Sequence, residues 1–151
     1  MYVPMVAALM FVLPIVSSIL ETYISNHGVY SLGIFFTWFV FFPVGLRLLL
    51  TGARQIFQPR YTAEQILGIN SSDALIVVRE LGIANLAIGT VGTWSFFNPD
   101  WVMPAGLAGA IFYGLAGINH LLHKPRSRNQ SVAMVSDLFV AIVLAILLLP
   151  S

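Results

Sequence analysis

Five apolar stretches, each long enough to cross a lipid bilayer, take up most of this 151-residue chain. They lie at residues 2–20, 29–50, 74–97, 101–122 and 132–149. A hydrocarbon core about 30 Å thick is spanned by about 20 helical residues, so each stretch predicts one membrane-spanning helix. The expected fold is therefore all-α, a single transmembrane domain over residues 1–151 built as a five-helix bundle. Charge content agrees. Soluble domains carry about a quarter charged residues, whereas here 58% of residues are hydrophobic and 9% charged, with a mean hydropathy of +0.89. The solvent such a surface suits is lipid. The first stretch lacks a positive leader, and Ser17-Ser18-Ile19 is a poor cleavage site. It is therefore expected to be a retained helix rather than a signal peptide. Pro14 is expected to kink it.

The basic residues set an orientation. Arg54 and Arg60 follow the second stretch, and Lys124, Arg126 and Arg128 follow the fourth. Segments 21–28 and 98–100 hold acids and His27 but no Lys or Arg. Short basic loops stay in the cytoplasm. The N-terminus is thus expected inside and the C-terminus outside. Tyr23, Tyr30, Trp94, Phe96, Phe97 and Trp101 gather at the predicted outer interface, as an aromatic belt does. Arg47, near the end of its stretch, is expected to snorkel outward. Ser71 or Ser72 is placed to cap the third helix. Thr62 to Gln65 has the spacing of a capping box, which predicts a short amphipathic helix over 62–69 on the inner leaflet.

Several chemistries are excluded early. A net charge of +1 offers no clustered basic face for nucleic acid. Without cysteine there is no disulfide, thiolate nucleophile or Cys-ligated metal. Only His27, His120 and His123 supply imidazole, so any metal site must lean on carboxylates. No phosphate loop or H-E-x-x-H motif occurs. No cofactor is required by the sequence, and an enzyme is not the expected reading.

Ionisable groups inside the spans need an explanation, because each costs roughly 2.5–3.5 kcal/mol to insert. Arg79 and Glu80 on the third stretch, His120 on the fourth and Asp137 on the fifth all fall near the same cytoplasmic end. With Asn85 and Asn119 they form the expected buried polar cluster. At about 100° per residue, Arg79, Gly82, Asn85 and Gly89 share a face, while Glu80 points away. A helix polar on two sides is expected at the bundle centre or at a protomer interface. Gly106, Gly109, Tyr113, Gly117 and His120 share a face of the fourth helix. Small residues let helices approach closely in lipid, so these two glycine faces are expected to pack on each other. Asp137 shares its face with Ala133 and Ala141, and Arg79, about one turn from the inner interface, is expected either to snorkel or to pair structurally with Asp137. His123 is expected at the surface beside Lys124.

The run from Arg79 through Gly82, Asn85 and Gly89 to Gly92, the Gly117-Ile118-Asn119-His120 end of the fourth segment, Ile66-Leu67-Gly68-Ile69 and Asp137 together resemble an uncharacterised bacterial family of small multi-pass membrane proteins. The resemblance covers roughly the second half of the chain and implies functional weight at Glu80, Asn85, His120 and Asp137. It implies no activity.

Three functions compete. The first is a non-catalytic accessory, scaffold or self-associating subunit, partnered by lipid and by a second copy or another membrane protein. The second is a small transporter or proton-coupled carrier using Glu80, His120 and Asp137. The third is a membrane-embedded site for a metal, quinone or lipid. For a metal, Glu80, His120 and Asp137 would be ligands, and a bis-His haem would need His123 or a second subunit. For quinone or lipid, the site would be a cleft between the third and fourth helices.

Overall fold

In the computed structural model, which describes residues 2–25, 27–122 and 127–149, all regular structure is helical. The expectations for His123 and Lys124 lie outside the described residues. Five helices are long and apolar enough to cross a membrane: α1 (Val3–Ile24), α2 (Leu32–Phe57), α3 (Ala74–Trp94), α4 (Pro99–Leu122) and α5 (Arg128–Leu147). Their outward faces carry Ile15, Ile19, Ile76, Leu107, Ile111, Val135 and Ile142 in exposed positions. That is a surface for lipid tails.

Two helices run through proline by widening. Proline removes an N–H and its ring clashes with the carbonyl four residues back. Ahead of Pro14, α1 opens into π-helical turns at Ala8–Val12, and the Leu13 N–H returns to Ala8 O. Around Pro43, α2 does the same over Val40–Leu46, and the Arg47 N–H bonds Phe42 O. Each widened turn moves the backbone off the i−4 pattern where proline would block it.

Helix α2 ends two turns beyond its predicted limit at residue 50 because Arg47, Thr51, Arg54 and Gln55 end the apolar run without ending the helix. They recur at helical spacing and line one inner face. Helix α5 starts at Arg128 rather than 132 because a capping box sets its first turn. Ser127 Oγ accepts from the Gln130 N–H at 3.2 Å, and the Ser127 N–H donates to Gln130 Oε1 at 2.7 Å. The expected box at Thr62 does not form. A helical segment already starts at Pro59, a residue suited to a first turn, so Thr62 lies within the helix and is buried. At α3, Ser71 Oγ accepts from the Asp73 N–H at 3.2 Å, and Asp73 takes the cap position without a side-chain bond.

Helix α2 is the hub, with half of its span buried. Phe36, Phe39, Val40, Val44 and Leu48 meet Met10 of α1, Ala105 and Tyr113 of α4, and Val140 and Leu144 of α5. Helix α3 lies at the side, against α2. The connecting segment Pro59–Tyr61 and Thr62–Leu67 folds under the basic-loop end, joined to α5 where Asn129 Nδ2 donates to Gln65 O at 3.4 Å. It terminates at Gly68, whose φ of +72° is left-handed, and the Ile69 N–H returns to Ala63 O at 2.8 Å. A Cβ there would meet only Gln130 Nε2 at 3.6 Å, so conformation alone sets the cost. Gly68→Ala is expected to lose about 1–2 kcal/mol, measurable as a lowered unfolding midpoint in detergent.

Candidate functional site

The deepest polar contact joins α2 to α5. Arg47 Nη2 donates to Asp137 Oδ1 at 2.8 Å and to Ser136 Oγ at 3.2 Å. Arg47 and Asp137 are each 6% exposed. The guanidinium also lies over the Tyr113 ring, 4.9 Å from its centroid, and the Tyr113 hydroxyl donates to Pro43 O. That carbonyl is passed over when the Arg47 N–H reaches back to Phe42. Widening of α2 at proline thus creates the acceptor that fixes Tyr113, and Tyr113 walls in Arg47.

This corrects two expectations. Arg47 does not snorkel, because α2 continues past it and turns it inward. Of the two alternatives for Arg79, the pair with Asp137 does not form, because Arg47 takes that carboxylate. The buried residues of α3 are Val78, Gly82, Asn85, Gly89 and Gly92. At about 100° per residue, their face is centred about 100° from Arg79 and about 160° from Glu80. Both charged residues are exposed on the outer side of α3, outside any buried cluster.

The glycine faces also pack differently from the expected α3–α4 pairing. Gly82, Gly89 and Gly92 lie against Gly52, Leu49 and Gly45 of α2, backbone on backbone. On α4, Gly106 accommodates the Phe36 ring, Gly109 admits Val44 and Leu144, and Gly117 admits Leu138. The glycines of α2 decide this. Gly45 and Gly52, seven residues apart, form a flat strip that only another flat strip can approach.

Because α3 follows α2, a cavity of about 400 Å³ opens between α3 and α4 toward the basic-loop end. Thr51, Arg54, Gln55, Asn85, Asn119 and His120 supply polar groups to its wall, and Tyr61 and Thr62 close it from the connecting helix. Leu81, Phe112 and Leu115 give it an apolar side. Asn119 and Leu115 are exposed and His120 is half-buried, so the cavity reaches the bundle surface along α4. Asp137 also lines it, already engaged by Arg47.

Two features leave this wall chemically unfinished. Arg54 lies over Tyr61 with its guanidinium 3.5 Å from the ring centroid. Among the described residues, the ion pairs are Arg47 with Asp137 and Arg60 with Glu64, so Arg54 keeps its positive charge uncompensated. Asn85 is 2% exposed; its Nδ2 donates to Gln55 Oε1 at 2.7 Å, while its Oδ1 is buried without a partner. A buried unsatisfied carbonyl costs about 1–3 kcal/mol. A donor brought to Asn85 would recover that cost, and an acceptor brought to Arg54 would meet its charge.

Among the described residues no three His, Asp or Glu side chains are placed to hold a metal ion. Glu80 is on the outside, leaving His120 and Asp137 at the cavity. The α2 wall of Thr51, Arg54 and Gln55 was missed by sequence reasoning, which placed Arg54 in a loop. Its signal was present, since Arg47, Thr51, Arg54 and Gln55 fall at i, i+4, i+7 and i+8, the stripe of an amphipathic helix.

The five apolar helices point to a multi-pass membrane protein. No curated protein and no solved structure matches the chain. A family of unknown function, DUF6790, does match it over residues 4–151, and the chain belongs to that family.

Proposed function

We propose that the protein is a non-catalytic accessory of the bacterial cytoplasmic membrane that binds a single-chain acidic amphiphile in the cavity between α3 and α4. The observation that carries this reading is the uncompensated Arg54 in a cavity with one polar and one apolar wall. About 400 Å³ falls within the range of small-molecule sites, roughly 300–1,000 Å³. Arg54 would donate to the acidic head, and Leu81, Phe112 and Leu115 would border the chain. The exposed lining of α4 gives such a guest a lateral entrance.

The test is equilibrium binding of laurate and of lauryl alcohol to the protein in lipid nanodiscs. Laurate is expected to bind saturably at one site per chain, and the alcohol more weakly. Because a hydrogen bond to a charged group contributes about 1.5–3 kcal/mol, Arg54→Gln should weaken laurate about ten- to a hundredfold and leave the alcohol unchanged. Equal binding of both compounds, or undiminished laurate binding to Arg54→Gln, would sink the reading.

A further inference from the structure

The outer face of α3 carries a second unsatisfied demand, independent of the cavity. Ile76, Glu80, Ile83, Ala87, Thr90 and Trp94 are all exposed there, with Arg79 flanking them. Their steps alternate four, three, four, three, four, which is the a/d spacing of a coiled-coil seam. The Thr90 hydroxyl already donates to Leu86 O at 2.8 Å, and the charged dyad is the costly feature of this face. Neither Arg79 nor Glu80 is ion-paired among the described residues. Counting 1.5 Å per residue from Ala74, Glu80 sits about 9 Å along the helix, deeper than its short side chain reaches to escape lipid. Arg79 is long enough to snorkel, and an anionic headgroup that suited it would repel Glu80.

We propose that two copies of the chain pair in parallel along this face, with Arg79 of each copy meeting Glu80 of the other. A two-fold axis along the membrane normal sets every residue at the depth of its own counterpart. An adjacent Arg-Glu dyad is then self-complementary. In a parallel seam the position of Glu80 is flanked across the interface by the residue preceding its counterpart, which is Arg79 of the partner copy. The small side chain of Ala87, one turn of the repeat further on, lets the helices approach. A different membrane protein would have to supply both charges in the reverse order, whereas a second copy does so by symmetry.

The chain contains no cysteine, so single introduced thiols report contacts without background. In native membranes, Ile83→Cys and Ala87→Cys are expected to form covalent dimers on mild oxidation. Ile111→Cys, on the exposed face of α4, is expected to remain monomeric. In the Ile83→Cys background, Arg79→Glu alone or Glu80→Arg alone places like charges opposite one another and should cut cross-linking about tenfold. The double swap, Arg79→Glu with Glu80→Arg, should restore it. Cross-linking at Ile83 and Ala87 no greater than at Ile111 would overturn the proposal. So would a double swap that stays as low as the single reversals, since then the charges do not meet across the seam.

Discussion

Asp137→Leu is expected to destabilise the bundle by about 3–5 kcal/mol. The substitution leaves the Arg47 guanidinium in the interior, where Ser136 Oγ and the Tyr113 ring cannot neutralise it. Arg47→Met strands the carboxylate instead and should cost a similar amount. The combined variant, Arg47→Met with Asp137→Leu, should recover most of the loss. Two apolar side chains of similar volume leave no charge to solvate, and replacing a buried pair in this way is often neutral or stabilising. Reversible unfolding in mixed micelles, followed by circular dichroism, gives all three values, and the double-mutant cycle isolates the coupling. Single-variant losses below about 1 kcal/mol would resemble a solvated surface pair and contradict a dry contact between α2 and α5.

Gly89→Ala comes next in size. A Cβ on Gly89 would lie 2.5 Å from Leu49 N and 3.0 Å from Gly45 O. Both obstacles are backbone, so no side chain can swing aside and the helices must separate. Overpacking typically costs about 1–3 kcal/mol, and the upper end is expected here. Gly114→Ala is the control, because its Cβ would meet Ala141 Cβ at an ordinary 3.7 Å. Alanine exceeds glycine in helix propensity by about 0.8–1.0 kcal/mol, so this variant should be neutral or slightly stabilising. Unfolding midpoints of the two in the same micelles check the contrast; equal effects would mean that the α2–α3 contact is not backbone-tight.

The five helices were legible because lipid imposes a length and a composition that few other structures share. Their ends were less so. At Arg54-Gln55 and at Arg128–Ser131 the helix continues in polar residues, one group facing a cavity and the other held by a capping box, and hydropathy sees both as loop. Within the site, Asn85 and Asp137 stood out as polar residues in apolar surroundings. Arg79 and Glu80 stood out equally, since a helical wheel shows which residues share a side but not which side faces in. That choice depended on Gly45 and Gly52, whose strip on α2 draws the glycine face of α3 and turns the two charges outward. Arg47 looked like an interfacial residue only because α2 seemed to end beside it.

The partners in the buried ion pair are 90 residues apart in sequence, and the acid lies on α5, which is made well after α2. During synthesis α2, α3 and α4 emerge before α5, so Arg47 must be inserted into the membrane while its counter-charge is still on the ribosome. Until α5 arrives, the unfinished bundle has to keep that guanidinium hydrated, at its edge or through a water-filled gap. Docking of α5 is thus the event that dries the interior, and an ordered assembly is written into the distance between two charges.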